Sequence, residues 1–324
     1  MKKNIALTTG HIFPLLAIAK YFKDNKFNFL WFNEELEEEI ATKNNIHFYH
    51  IPSKIRRYFD IKNFFEPLKN ITFFFSIYYI LTKKIYIIFS KYVSLPFCLA
   101  YLLGKKIYIH ESDTVIVSNK IISKLATKIF YTFPNEEINN KKHILIQIIN
   151  PEIYRYINKD DIIENEKLEI LVIAGSQSTI IFENVKTIVN NLIDINFTII
   201  LDKNLHFRKD FDKCNNVKII DFATQRELEI YKKTDIAITR AATTLWELYF
   251  FGVHSIIVPL KNSASNHQNT NASFFKERFS DILDEDNNLN LEIFRLLNKY
   301  KTLRKNLNLK DIDSSLKILE KYIK

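Results

Sequence analysis

In "ALTTGHIFPLLAIAKYF" (Ala6–Phe22), one of only four glycines in 324 residues stands beside His11, where an apolar run gives way to helical spacing. An imidazole titrating near neutrality can take a proton from a sugar hydroxyl, and a histidine at a helix start serves equally well as a hydrogen-bonded cap. Thr9 and Gly10 complete a turn that offers backbone N–H groups and a helix N-terminus to an anion. A second turn of the same style, "VIAGSQSTIIFENV" (Val172–Val185), carries Gly175, Ser176, Gln177 and Ser178. Either turn suits phosphate oxygens, which a glycine lets the backbone approach, and either suits a corner that needs glycine for steric reasons alone.

Four further stretches gather polar groups just after apolar runs. "SKYVSLP" (Ser90–Pro96) supplies hydroxyls from Tyr92 and Ser94, and "HESDTVIVSNK" (His110–Lys120) collects His110, Glu111 and Asp113. Both suit a polar acceptor or an ordinary solvated loop. "ITRAATTLWELYFFG" sets Arg240 at a run's end and Glu247 in the first turns of the following helix. The helix dipole favours a carboxylate there, and its two oxygens match the adjacent hydroxyls of a ribose. "NSASNHQNTNA" (Asn262–Ala272) clusters amides, Gln268 among them, with His267, a set of donors and acceptors fit for a sugar or a diphosphate.

These stretches need a scaffold that brings them to one edge. Short apolar runs alternate with longer helical patterns: "NIAL", "FNFLWF", "IYIIF", "KIYIH" and "KIFYTF", then "LEILVIA", "FTIIL", "VKIID", "DIAIT" and "SIIVPL". That rhythm predicts βαβ units on parallel sheets, hence an α/β fold. The polar "NKDDIIENEK" (Asn158–Lys167) marks a linker, which predicts two doubly wound domains, 1–155 and 156–324, with helical spacing alone from Leu289 to the end. Doubly wound sheets bind ligands at the carboxyl ends of their strands, where the polar stretches fall.

Composition narrows the chemistry. The formal charge is +9, and residues 1–150 hold 21 Lys/Arg against 12 Asp/Glu, so the whole excess lies in the first half and points to an anionic partner. No nucleic-acid-binding module is legible, and nucleic acid is not expected as a partner. Cys98 and Cys214 lie far apart without metal-ligand spacing, and no Asp-x-Asp pair closes a strand, so neither a disulfide framework nor a bound metal is expected. Thr8 to His11 interrupt the first apolar stretch, which argues against a signal peptide. "ITFFFSIYYIL" (Ile71–Leu81) is about half the roughly 20 residues a spanning helix needs.

In their order and separations, "TTGHIFPLLAIA", "YVSLP", "IHESDTVIVSNKIISKLATKIFYTFP", "NP", "ILVIAGSQS", "ITRAATTLWEL" and "VPLKNSASNHQNTNA" resemble the motifs of the MurG family, from about Asn4 to about Phe275. The resemblance implies a GT-B fold, two Rossmann-like domains facing across a cleft. It implies inverting transfer of N-acetylglucosamine from UDP-GlcNAc to an undecaprenyl-diphosphate-linked muramyl-pentapeptide, without a bound cofactor. By position, His11 would be the base, with Thr9 and Gly10 facing the diphosphate. Ser176, Gln177 and Arg240 would lie near the nucleotide, Glu247 on the ribose, and His267 and Gln268 on the GlcNAc or its phosphates. Tyr92, Ser94, His110, Glu111 and Asp113 would line the acceptor side of an N-terminal, membrane-facing domain.

The chain departs from that pattern where glycines are expected. "ALTTGH" stands for a glycine-rich loop, Ser90 and Lys91 replace two glycines, "TRAAT" stands for "SRAGA", and Asp113 replaces an asparagine. These changes keep two other readings open: a different GT-B enzyme, such as a glycolipid glycosyltransferase or a UDP-GlcNAc 2-epimerase, and a nucleotide-sugar-binding protein without turnover. A lipid-linked acceptor also implies a cytoplasmic protein held peripherally at an anionic membrane surface. The stretch Lys54–Lys106, where Phe64, Phe65, Phe73, Phe74 and Phe75 alternate with lysines and arginines, has the composition of an interfacial segment.

Overall fold

A computed structural model describes residues 5–8, 27–31, 48–50, 85–88, 101–111, 124–133, 143–145, 153, 165–174, 179–201, 208–221, 227–263, 266–286, 288–303 and 321. The chain divides into two units, Met1–Pro151 with Asp313–Lys324, and Glu152–Ile312.

The first unit is built on a seven-stranded sheet, every neighbouring pair parallel, in the order β3-β2-β1-β4-β5-β6-β7. Its strands are β1 (Ile5–Thr8), β2 (Phe27–Trp31), β3 (Phe48–His50), β4 (Ile85–Ile88), β5 (Lys106–Glu111), β6 (Lys128–Tyr131) and β7 (His143–Leu145). Strand order reverses between β1 and β4, whose register pairs Ile5 with Ile85 and Thr8 with Ile88. In β5 every residue from Ile107 to Glu111 is buried, the signature of a parallel strand covered on both faces.

The second unit repeats the plan with six parallel strands in the order β10-β9-β8-β11-β12-β13. They are β8 (Leu168–Ile173), β9 (Ile195–Leu201), β10 (Val217–Asp221), β11 (Ile236–Thr239), β12 (His254–Ile257) and β13 (Ser280–Ile282). Order reverses between β8 and β11, where Ile236 pairs with Ile170 and Thr239 with Ile173. The β-branched centre, β8, β11 and β12, is almost wholly buried, whereas the edge strands β10 and β13 are half-buried.

The helices described in this unit are α1 (Thr179–Val189), α2 (Arg208–Phe211), α3 (Glu227–Lys233), α4 (Thr244–Phe250), α5 (His267–Phe275) and α6 (Leu289–Lys299). In α1 the buried residues Ile181, Phe182, Val185, Ile188 and Val189 recur at helical spacing, as do Leu289, Ile293, Leu296 and Leu297 in α6. These two stripes join β8, β9 and β11 in one apolar core. Two residues beyond α4 stands Gly252, whose φ of 65° is a left-handed conformation that a side chain would strain. Gly252 N donates to the carbonyl of Tyr249 at 3.0 Å and Val253 N to that of Leu248 at 3.0 Å, which turns the chain directly into β12.

Candidate active site

Of the residues singled out for donor binding in the second unit, Arg240, Glu247, His267 and Gln268 lie where β11 and β12 run out into α4 and α5. After Thr239 the backbone turns at once, with Ala242 N donating to the Arg240 carbonyl at 2.9 Å and Leu245 N to that of Ala242 at 3.1 Å. Leu245, Trp246, Leu248 and Phe250 enter the interior and leave Glu247 half-buried in the first turn of α4. Trp246 meets the rings of Phe274 and Phe275 at 5.3 and 5.1 Å between centroids, so α5 packs on α4 through aromatic contacts.

Arg240 is buried, and its guanidinium turns inward. Nη2 pairs with Glu285 Oε1, and Nη1 donates to the Val258 carbonyl at 2.9 Å. Burial pushes this guanidinium below its usual range, while the hydrogen bond and the charge of Glu285 push it back up. The other oxygen of Glu285 accepts from Lys261 N at 3.1 Å.

Helix α5 begins after Asn266, held in a left-handed conformation at φ 55°, a position asparagine tolerates better than most residues. His267 and Gln268 therefore stand in the first turn of α5, both half-buried. Gln268 Oε1 accepts from Leu260 N at 2.9 Å, and Gln268 N donates to Ser263 Oγ at 3.3 Å. The Gln268 carboxamide thus spends its oxygen on the β12–α5 loop. Asn271, fully buried one turn on, donates through Nδ2 to the Ala241 carbonyl at 3.1 Å. Side-chain hydrogen bonds consequently tie the β11–α4 loop to α5, and the β12–α5 loop to both α5 and Glu285.

In the first unit His110 and Glu111 end β5, with only 5% and 3% of their surface exposed. His110 Nε2 shares a hydrogen bond of 3.0 Å with Thr132 Oγ1, and Thr132 N donates to the Glu111 carbonyl at 3.0 Å. The His110 side chain and the Glu111 backbone thus brace the carboxyl edge of β5 against the residue after β6. Thr9, Gly10, His11, Tyr92, Ser94, Asp113, Ser176 and Gln177 lie outside the described residues. The strands preceding them are nonetheless β1, β4, β5 and β8, and three of these four flank a reversal of strand order.

Asn271, Glu285 and Thr132 did not stand out in the sequence as contributors to the site. Asn271 lay within a quoted motif, five residues after the αL position that starts α5, and its helical spacing from Gln268 was the available signal. Glu285 lay in "DEDNN", a run that reads as a solvated acidic turn. Among the described residues no group of three or more His, Cys, Asp and Glu side chains is arranged to hold a metal ion.

Residues 8–131 match the model of the glycosyltransferase family 28 N-terminal domain, and residues 169–320 that of the family 28 C-terminal domain. A similar protein from Clostridium perfringens is 31% identical over 92% of this chain and 88% of its own, and is named UDP-N-acetylglucosamine--N-acetylmuramyl-(pentapeptide) pyrophosphoryl-undecaprenol N-acetylglucosamine transferase. Among solved structures, MurG from Acinetobacter baumannii superposes with a TM-score of 0.66 at 22% identity, covering 94% of this chain and 92% of that one. A UDP-GlcNAc 2-epimerase from Neisseria meningitidis, crystallised with UDP-GlcNAc, reaches 0.65 at 12% identity with both chains fully covered, so the fold by itself is common to transferases and epimerases. With two strand-order reversals, both halves of the family model and near full-length identity to named relatives, the chain belongs to the MurG family of glycosyltransferase family 28 and has its GT-B fold.

Proposed function

We propose that this protein transfers N-acetylglucosamine from UDP-GlcNAc to a lipid-linked N-acetylmuramyl-pentapeptide. The acceptor hydroxyl oxygen attacks the anomeric carbon while the bond from that carbon to the diphosphate oxygen breaks. UDP leaves with the electron pair, the hydroxyl proton passes to His11, and the configuration at the anomeric carbon inverts. Glu247 accepts from the two ribose hydroxyls, while His267, Gln268, Ser176, Gln177, Thr9 and Gly10 address the sugar and its diphosphate. Preorganised N–H groups meet the charge that develops on the leaving group, so this chemistry asks for no metal. Arg240 serves the donor through the loop it anchors, its guanidinium being occupied by Glu285 and Val258. Tyr92, Ser94, Asp113 and the braced β5 edge at His110 and Glu111 form the acceptor side.

The observation that carries this reading is that β11 and β12 deliver Arg240, Glu247, His267 and Gln268 to one carboxyl edge of a sheet, within a chain 31% identical over 92% of its length to a named transferase. The test is transfer of radiolabel from UDP-GlcNAc to the undecaprenyl-linked monosaccharide-pentapeptide. Labelled lipid is the expected product. Binding of UDP-GlcNAc without transfer would make this a nucleotide-sugar-binding protein, and conversion of UDP-GlcNAc without a lipid product would assign it to an epimerase-type reaction. His11→Ala should abolish transfer with UDP affinity nearly intact, and Glu247→Ala should weaken UDP binding.

The same reading brings the protein to the anionic cytoplasmic leaflet of the cell membrane as a peripheral partner. Tyr101, Leu102 and Leu103 are exposed, Leu102 by 78%, and Gly104 separates them from Lys105 and Lys106. An apolar step beside cations suits an interfacial contact. Among the described residues no helix is long and apolar enough to cross a membrane. Flotation with anionic vesicles but not neutral ones supports the contact, and equal flotation with both removes its electrostatic part.

A further inference from the structure

We propose that Glu285 is a positioning residue of the donor site, a single partly buried carboxylate that sets the β11–α4 and β12–α5 loops relative to each other. It rests on the assignment of UDP-GlcNAc to those loops. Glu285 follows β13, at the sheet's edge, and lies beyond the stretch that resembles the family's motifs. Its side chain is 10% exposed, and its two oxygens serve different segments: Oε1 pairs with Arg240 at the end of β11, and Oε2 accepts from Lys261 N in the β12–α5 loop at 3.1 Å. Through Arg240 Nη1 the clamp also reaches Val258, the residue after β12, at 2.9 Å.

Each point of attachment adjoins a residue that holds the proposed binding groups. Arg240 precedes Ala241, whose carbonyl accepts from Asn271 of α5. Lys261 follows Leu260, whose N–H is received by Gln268 of α5. Moving Glu285 therefore shifts α5 against α4, and with them His267 and Gln268 against Glu247. The planar guanidinium is needed as well, because its two terminal nitrogens point to two different acceptors, which a lysine ammonium at the same place does not reproduce. Because Glu285 offsets the charge of Arg240, the pair contributes little net field to a bound diphosphate, and its effect on the donor travels through loop geometry.

The test is calorimetric titration of UDP-GlcNAc into three proteins, the wild type, Glu285→Gln and the double variant Arg240→Met with Glu285→Leu, each with its thermal midpoint measured. The glutamine keeps size and one acceptor but leaves the Arg240 cation without a counter-charge. The double variant removes both charges and fills the space with apolar atoms, which restores stability to buried ion-pair sites in other folds. A positioning role predicts that Glu285→Gln weakens UDP-GlcNAc binding about tenfold or more. It also predicts that the double variant regains the thermal midpoint without regaining affinity, and that in transfer assays KM for UDP-GlcNAc rises while KM for the lipid acceptor stays put. Recovery of affinity together with stability would reduce Glu285 to a structural ion pair, and wild-type affinity in Glu285→Gln would overturn the proposal outright. Absence of UDP-GlcNAc binding by the wild type would instead overturn the donor assignment beneath it.

Discussion

Two basic side chains, each bonded to a carboxylate, sit at opposite ends of the same sheet. At its carboxyl edge Arg240 pairs with Glu285, and at its amino edge His254, the first residue of β12, places Nε2 at 2.7 Å from Asp281 Oδ2 in β13. Both basic side chains are buried, and both carboxylates come from β13 or the turn after it. Their chemistry differs. Arginine stays charged at any pH a protein meets, so the carboxyl-edge couple always has its cation. Histidine can give up its proton, and its surroundings favour doing so. Burial pushes His254 below the ordinary imidazole range, against the upward pull of the hydrogen bond and charge of Asp281. Its Nδ1 is buried with no hydrogen-bond partner among the described residues, so a second N–H there would be left without an acceptor.

The neutral ring donates from Nε2 to Asp281, which also accepts from the Tyr300 hydroxyl at 2.8 Å. Lys299 Nζ lies 3.0 Å from that hydroxyl. The ring is packed between Tyr300 and Phe279, at 4.5 and 5.0 Å between centroids. One edge of the sheet thus carries a cation that keeps its proton, and the other carries an imidazole whose protonation weakens the fold. Nucleotide-sugar groups are proposed at the first edge, and none at the second.

The largest test of this contrast is Glu285→Leu alone, which leaves Arg240 buried without its counter-charge. Urea denaturation should show a loss of about 3–5 kcal/mol. A loss below 1 kcal/mol would make the carboxyl-edge couple no stronger than a surface pair. Next in size is Asn271→Leu, which strips the Ala241 carbonyl of its buried donor and should cost about 1–3 kcal/mol in the same measurement.

The amino edge is tested by pH. A histidine whose folded pKa is depressed contributes stability that is fully present above its unfolded value of about 6.5 and is lost as pH falls through the folded value. The urea midpoint should therefore drop on acidification below about 6.5. In His254→Gln, whose amide can still donate toward Asp281 but does not titrate, that part of the drop should vanish. An unchanged pH profile would show that His254 is not its source. The smallest effect is expected at Lys186 and Asp210, an exposed pair at 2.7 Å joining α1 to α2, where Lys186→Met should change stability by no more than about 1 kcal/mol.

How much of this was legible beforehand follows from the kind of interaction involved. The runs "LEILVIA", "FTIIL", "DIAIT" and "SIIVPL" became β8, β9, β11 and β12 because a strand largely buried on both faces is mostly apolar, and such a run announces itself. Strands β3, β7 and β13 gave no such signal. Each is three residues long at the edge of its sheet, and "SDI" in β13 is half-buried and mostly polar. Without β13 the sequence offered no reason to bring Glu285 near Arg240.

Arg240 shows the same limit from the other side. Its position after a strand marked it as a site residue, but the direction of its guanidinium depended on a carboxylate 45 residues later in the chain. His110 likewise stood in a polar cluster that suited a ligand, and nothing in that cluster announced that its imidazole meets Thr132, the residue after β6.

By itself, the sequence determined the alternation of strand and helix, the placing of polar stretches after strands, and the family to which the chain belongs. Those properties are local and periodic, written in neighbouring residues. Tertiary structure decided which of the polar side chains face one another. A hydrogen bond between Glu285 and Lys261, or between Asn271 and Ala241, spans 24 and 30 residues and exists only once parallel strands have set their ends side by side.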